Sequence, residues 1–190
     1  MTVETYIPAA LRIDTESVCR YLRCRQTPEQ PMSAKLADFI SQAEREASFR
    51  VVFAEVPVTV TEDSVFLQGL SEVRSRKLAE NLRGTGRVLL FCATCGVFFD
   101  RKIAQAQLHP SEAVLWDAVG TAAIEQLCDD FCKERQTVRP RFSPGYGDLL
   151  LTFQKDLLEW LDAARLSGVG LTDSLLMTPT KSVTAIAALE

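Results

Sequence analysis

The segment from Arg87 to Cys95 limits the fold most, because it reads Arg-Val-Leu-Leu-Phe-Cys-Ala-Thr-Cys with almost no polar interruption. A strand with one face in water alternates apolar and polar residues, whereas a strand covered on both faces does not. The run therefore predicts a central strand of a sheet that is buried on both sides.

Two further strand pairs are predicted on either side of this segment. Phe49 to Thr61 is rich in Val and Phe, and Asp63 to Leu67 follows after a turn at Thr61 to Asp63, which together predict a β-hairpin. Thr172 to Met177 and Ser182 to Leu189 are predicted as strands around a turn at Thr178-Pro179.

Helices are predicted where apolar residues recur three and four positions apart behind a capping residue. The first is capped by Asp14 or Thr15 and runs through Tyr21 and Leu22, and the second is capped by Ser33. The third extends from Pro110 to about Arg135 and starts at Ser111. The fourth covers Phe153 to Ala164 and ends at Ser167-Gly168. A breaker with two prolines, Thr27 to Met32, separates the first two.

Helices and strands are mixed, hairpins lie towards both ends, and neither a repeat nor an interdomain linker is visible. This pattern predicts one α+β domain over residues 1–190, with a largely antiparallel sheet packed with helices. The length of 190 residues and an apolar fraction of 47% suffice for a well-formed core.

Charge and hydropathy limit the partners and the location that the sequence predicts. The net charge is −4 and no block of basic residues offers a phosphate-binding surface, so nucleic acid is not an expected partner. Neither a long apolar run nor a basic-then-apolar leader is present, so no membrane span or secretory signal is predicted and the expected location is cytoplasmic.

The loop Arg139 to Tyr146, Arg-Pro-Arg-Phe-Ser-Pro-Gly-Tyr, carries the strongest chemical signal. Its prolines stiffen the backbone, its glycine permits positive φ or close approach of a ligand, and Arg141 and Tyr146 remain as reaching groups. The alternative is a surface connector with a solvated arginine.

Glu125 extends a row of small residues on the long predicted helix, formed with Leu115, Ala118 and Ala122, and is either solvated at the edge or held for a ligand. Together with the loop it offers an anion, a cation and an aromatic ring. Such a set suits a zwitterion attached to a planar ring, a description that fits S-adenosylmethionine.

Other candidate chemistry is weaker. Cys92 and Cys95 have the spacing of a redox or zinc pair, but no second pair accompanies them, and two buried core thiols are the favoured interpretation. His109 is the only histidine, and Asp129-Asp130 is interpreted as a solvated helix face. We therefore predict neither a metal site nor a catalytic acid–base residue.

Several segments together resemble a known family. They are Arg141-Phe142-Ser143-Pro144-Gly145-Tyr146, of the form Arg-x-x-Pro-Gly-Tyr; Leu171-Thr172-Asp173-Ser174 followed by Met177, Pro179, Ser182 and Val183; Val18 to Leu22; and Leu90 to Gly96. The chain resembles the activation domain of cobalamin-dependent methionine synthase, in particular the short stand-alone proteins similar to that domain.

The resemblance implies binding of S-adenosylmethionine. Arg141 would hold the methionine carboxylate, the backbone of Ser143 and Gly145 would line the site, Tyr146 would pack along the ligand, and Glu125 would lie near the amino group. In the family, cob(II)alamin takes one electron and then a methyl group from S-adenosylmethionine, which regenerates methylcobalamin. Catalysis would then be by proximity, because the sulfonium leaving group needs no proton.

The chain departs from the family pattern in ways that define its partners. It lacks the Asp-x-His-x-x-Gly cobalamin motif around His109, so cobalamin would be carried by a separate corrinoid protein, methionine synthase or another methyltransferase. A flavodoxin-like or iron–sulfur protein would supply the electron. Ile186, Ala187 and Ala188 stand where large members have aromatic residues near the ligand, so the third wall of the site is expected to be thin there, and Asp14 is a possible counterpart of an N-terminal acid.

Two alternatives remain open on the sequence alone. The first is a non-catalytic interaction or scaffold protein that keeps the fold and has lost the ligand. The second is a thiol redox protein that uses Cys92 and Cys95, which would require exposed thiols of lowered pKa.

Overall fold

A computed structural model describes residues 2–24, 29–30 and 32–190. Half of the predicted breaker at Thr27 to Met32, namely Thr27, Pro28 and Pro31, lies outside these residues. The strands are β1 Glu4–Tyr6, β2 Arg50–Val60, β3 Ser64–Leu67, β4 Val73–Arg74, β5 Arg87–Thr94, β6 Gly170–Leu171, β7 Met177–Thr178 and β8 Ser182–Leu189. The α-helices are α1 Thr15–Tyr21, α2 Met32–Glu46, α3 Arg76–Asn81, α4 Phe98–Gln105, α5 Pro110–Glu134, α6 Phe153–Trp160 and α7 Ala163–Ser167.

The main sheet is antiparallel and has the strand order β4-β3-β2-β5-β8, with β1 paired to the first half of β2. β5 lies between β2 and β8 and pairs with both along its whole length. The prediction of a central strand is confirmed, and so is the β2–β3 hairpin.

Helices cover both faces of the sheet, which explains the unbroken apolar sequence of β5. Leu89, Phe91 and Ala93 point to the side covered by α1, α2, α4 and α5. Val88, Leu90 and Cys92 point to the side covered by α3, α6 and α7. The α+β class with a largely antiparallel, helix-packed sheet is therefore confirmed.

The long helix α5 packs on the first of these faces. Its predicted core stripe is confirmed, since Ile124, Leu127, Cys128 and Phe131 are all buried. Close packing against α5 also depends on Gly120. A Cβ at Gly120 would lie 2.9 Å from both the Phe99 ring and Cε of Lys181, so only glycine fits there without a shift.

Lys181 ties β8 to α5. Its Nζ donates to Oδ1 of Asp117 at 2.7 Å and to Oγ1 of Thr121 at 2.9 Å. Only 11% of the lysine side chain is exposed, so this contact fixes the start of β8 against the helix that carries Glu125.

Four details of the predicted elements are wrong. α5 begins at Pro110 instead of Ser111, since the missing N–H of proline is harmless in a first turn. Ser33 lies inside the first turn of α2 and does not cap it. The predicted helix over Phe153 to Ala164 is two helices, because Asp162 takes a left-handed conformation with φ of 51°. Residues 172–176 form a turn, in which the Thr172 hydroxyl accepts from the Leu176 N–H, and β6 and β7 pair around it.

Candidate functional site

The arginine-containing loop extends the main sheet beyond β8. The Val138 N–H donates to the Ala188 carbonyl at 3.0 Å, and Phe142 and Ile186 exchange two backbone hydrogen bonds of 2.8 Å. Pro140 lies between these bonded positions, where its missing N–H breaks no ladder bond. Because neighbouring side chains of an extended segment alternate, Phe142 packs on the α3/α6 side and Arg141 points to α5.

Both ends of this loop are fastened to the short helix α3. At the C-terminal end of α3, the Arg139 guanidinium donates to the carbonyls of Asn81 and of Arg83, the latter at 2.7 Å. At its N-terminal end, the Asp148 carboxylate accepts from the Ser75 hydroxyl at 2.5 Å and from two backbone N–H groups. We call Arg139 and Asp148, with these partners, the α3 bracket.

The Asp148 half of the bracket predicts a pH dependence. Hydrogen bonds from Ser75 and from the α3 backbone hold the pKa of Asp148 below its ordinary value of 3.8. A lowered folded pKa means that the stabilisation is present above the unfolded pKa and disappears as pH falls through the folded one. We expect Asp148→Ala to lower the urea midpoint at about pH 7 and to have little effect near about pH 2.

Equilibrium urea titrations at the two pH values measure this difference. Asp38→Ala, a change at an exposed position on α2, is the matched control and should leave the midpoint unchanged at both. An equal loss of stability from Asp148→Ala at both pH values would contradict the assignment of the carboxylate as the stabilising group.

The turn of the loop requires its glycine. Gly145 has φ of 91°, which side chains rarely adopt, and its N–H donates to the Leu149 carbonyl at 2.9 Å. The Tyr146 N–H donates to the Ser143 carbonyl at 3.0 Å. The Tyr146 ring packs edge-on against Phe142, with 6.3 Å between centroids, and 59% of the residue is exposed. More than half of the surface of Tyr146 is thus accessible.

Arg141 joins the loop to α5. Its Nη2 donates to Oε2 of Glu125 and its Nη1 donates to Oδ1 of Asp129. The arginine side chain is 19% exposed, against 40% for Glu125 and 65% for Asp129. Glu125 and Asp129 lie one helical turn apart and therefore share a face. We call these three residues the Arg141 cluster.

The electrostatics of the cluster favour a fixed positive charge. Burial works against the charged guanidinium, but the neighbouring Cys128, the hydrogen bond with Asp129 and the charges of Glu125 and Asp129 together outweigh it and raise the pKa of Arg141. Burial raises the pKa of the neighbouring Cys128 thiol well above its ordinary value, so this thiol is neutral at neutral pH. Burial and the charge of Glu125 also raise the pKa of Tyr21, the last residue of α1.

The predicted site residues are brought together in part. Glu125 and Arg141 are in direct contact, and Ser143 and Gly145 lie in the same loop. Tyr146 contacts Phe142, whose side chain lies on the opposite side of the loop segment from that of Arg141. A ligand that touched both Arg141 and Tyr146 would have to cross the edge of this segment, and the roles of these residues as ligand contacts stay a prediction.

Asp129 was missed as a member of the site. The interpretation of Asp129-Asp130 as a solvated face agrees with the exposure of both residues, and Asp130 accepts from Gln126 on the same helix at 2.8 Å. It is incomplete for Asp129, which also binds Arg141. The available signal was the spacing of four residues between Glu125 and Asp129, which places both carboxylates on one face.

The wall that is expected to be thin lies at the C-terminal strand β8. Ile186, Ala187 and Ala188 are all fully buried. Ile186 and Ala188 face the α3/α6 side, and only Ala187 faces α5. Since Phe142 pairs antiparallel with Ile186, Ala187 lies opposite Arg141. Ala187 is therefore the one of the three that lies on the side of the cluster, and none of the three is exposed.

The N-terminal acid has a structural role. The Asp14 carboxylate caps α1, as predicted, and accepts from the Ser17 backbone N–H and hydroxyl, both at 2.7 Å. The hydrogen bond from the Ser17 hydroxyl is the main reason that the pKa of Asp14 lies below its ordinary value.

The cysteines behave as core residues. All six belong to the described residues and are free thiols, and only Cys24 among them is exposed. Burial raises the pKa of Cys92 to about 12 and also raises that of Cys95, the opposite of what a reactive thiolate needs. Among the residues that the structure describes, no three His, Cys, Asp or Glu side chains gather as metal ligands, and no helix has the length and apolarity to cross a membrane.

The described residues form an α+β domain in which helices cover both faces of an antiparallel sheet and the arginine-containing loop extends its edge. No protein-family model matches the chain, and none of the curated proteins does. Among solved structures, it is similar to a crystal structure of the MetH reactivation domain bound to AdoHcy, with a TM-score of 0.68 and 14% identity. The similarity covers 99% of this chain and 78% of that one. The family resemblance is thus confirmed for the fold.

Proposed function

We propose that the chain binds S-adenosylmethionine and supports reductive methylation of cob(II)alamin held by a separate corrinoid protein, methionine synthase in the first instance. Arg141 binds the carboxylate of the ligand, Glu125 receives its ammonium group, the backbone at Ser143 and Gly145 lines the site, and Tyr146 packs along the nucleoside. The protein acts as a methyl-donor module in trans, and a flavodoxin-like or iron–sulfur protein supplies the electron.

The observation that carries this proposal is the contact between Arg141 and Glu125. A guanidinium presents parallel donors to a carboxylate, and a carboxylate beside it accepts from an ammonium group. The two charges therefore match the two charges of an amino-acid tail. The similarity in fold to a reactivation domain bound to AdoHcy supports a ligand of this chemical type.

The proposed methyl transfer does not require these residues to take part in bond making or proton transfer. When the sulfonium methyl leaves, the product is a neutral thioether, so no residue has to donate or accept a proton. The corrinoid of the partner receives the methyl group, and the chain has only to bind the donor and orient it. A site without a catalytic acid or base is consistent with this role.

Calorimetry tests the ligand. Titration of the purified chain with S-adenosylmethionine is expected to show stoichiometric binding and to raise the melting temperature. Absence of both heat and thermal shift up to millimolar ligand would remove the site assignment and leave the scaffold alternative.

A reactivation assay tests the reaction. The chain, S-adenosylmethionine and a reductant are added to methionine synthase loaded with cob(II)alamin, and the cobalt spectrum is followed. We expect the cob(II) spectrum to be replaced by that of methylcobalamin. S-adenosylhomocysteine is the matched control, since it has the same tail and no methyl group to transfer, and equal conversion with both ligands would contradict the proposal.

A further inference from the structure

The Arg141 cluster holds one carboxylate more than the proposed ligand requires, and the present inference rests on the proposed function. An amino-acid tail offers one carboxylate and one ammonium group. Glu125 is suited to the ammonium group and Arg141 to the carboxylate. However, Nη1 of Arg141 already donates to Asp129, so the guanidinium edge that the ligand needs is occupied from within the chain.

We propose that Asp129 is an internal competitor for the ligand carboxylate and thereby limits the affinity for ligands with an amino-acid tail. On binding, the ligand carboxylate replaces that of Asp129 on Nη1 of Arg141. Glu125 keeps its place and exchanges part of its contact with Arg141 for the ligand ammonium group.

The exposed fractions of Asp129 and Glu125 decide which of the two carboxylates the ligand displaces from Arg141. Asp129 is 65% exposed and Glu125 is 40% exposed, so a displaced Asp129 carboxylate is more readily taken up by water. Arg141 itself is fixed, because its backbone belongs to the segment paired with β8. An exposed ion pair is weak, so its displacement reduces affinity by only about two- to fivefold.

Competition by Asp129 for Arg141 would help the product to be exchanged for a new substrate molecule. S-adenosylmethionine and S-adenosylhomocysteine carry the same amino-acid tail, so a site that held the tail very tightly would retain the product. A carboxylate that returns to Arg141 when the tail loosens favours dissociation of both. Asp129 is therefore expected to raise the dissociation rate of the product as well as the dissociation constant of the substrate.

The experiment compares Asp129→Asn with the matched control Asp130→Asn, which removes the same charge one residue away. Asparagine has nearly the size of aspartate but no charge to hold the guanidinium. Asp129→Ser serves as a second variant, and circular dichroism verifies that each is folded. Calorimetry is done with S-adenosylmethionine, S-adenosylhomocysteine and 5′-methylthioadenosine, which has the nucleoside and thioether but no amino-acid tail.

We expect Asp129→Asn to bind both tailed ligands about two- to fivefold more tightly than the wild type, with slower release of S-adenosylhomocysteine and unchanged binding of methylthioadenosine. Asp130→Asn should leave all three affinities unchanged. Tightening of methylthioadenosine to the same degree, or by Asp130→Asn, would show a general charge effect and overturn the inference.

The remaining outcomes separate this inference from the proposed function. If the wild type binds S-adenosylmethionine and Asp129→Asn binds it equally or more weakly, the competitor role is wrong and the proposed function stands. If the wild type shows no binding but Asp129→Asn does, the inference is supported. If neither folded protein binds the ligand, the proposed function fails and the inference falls with it.

Discussion

Arg141→Ala is expected to weaken binding of S-adenosylmethionine by about 100-fold or more and to lower the free energy of unfolding by only about 1 kcal/mol. The loss of affinity is large because the ligand carboxylate would enter the site without a partner for its charge. The loss of stability is small because Glu125 and Asp129, both partly exposed, are solvated once the guanidinium is gone.

Calorimetry and urea unfolding of the same preparation measure the two quantities. Arg141→Lys should give an intermediate affinity, since an ammonium group keeps the charge and loses the forked geometry. Arg87→Ala, which breaks a surface pair with Glu55, is the matched control and should leave affinity unchanged. If Arg141→Ala retained wild-type affinity, the ligand would lie elsewhere on the molecule.

The second large effect concerns the packing of α5 on the sheet. Phe131 is fully buried, and its ring centroid lies 5.1 Å from that of Phe53, 5.5 Å from that of Phe91 and 5.3 Å from that of Tyr6. We expect Phe131→Ala to lower the free energy of unfolding by about 3 to 5 kcal/mol, because it removes these contacts and leaves a cavity. Such a loss is a large part of the stability of an ordinary domain, which is about 5 to 15 kcal/mol.

Urea unfolding followed by circular dichroism measures this change, and the midpoint is expected to fall by about 2 M. The control is Phe66→Ala on β3, where 43% of the residue is exposed and the expected loss is below about 1 kcal/mol. Similar losses from both variants would show that Phe131 is not the packing centre that its surroundings indicate.

The elements that could be predicted from the sequence are those with a local signature. β5 is apolar throughout because both of its faces are covered, and α5 shows its buried stripe at helical spacing. The sequence also indicated that Glu125 and Arg141 belong to the same site. A carboxylate that extends a row of small residues needs a nearby cation if it is held in place, and the stiff loop supplies one.

The parts that were missed depend on contacts between distant segments or on a single dihedral angle. Nothing in the sequence around Asp162 breaks the helical pattern, yet its left-handed backbone divides α6 from α7. The burial of Ala187 is one such feature, because it is decided by the pairing of this residue opposite Arg141. Arg139 and Arg141 also have similar neighbours in the sequence. Only the fold shows that Arg139 binds α3 and that Arg141 faces α5.

The α3 bracket has a consequence for when the loop becomes ordered. Since Arg139 and Asp148 hold opposite ends of one helix, the loop between them cannot open locally without breaking hydrogen bonds at α3 and along β8. Its amides, such as that of Phe142, should exchange with solvent only in openings that also involve this edge of the sheet. The conformational entropy of the loop is therefore lost when the chain folds and not when a ligand arrives, so binding begins from a loop that is already in place.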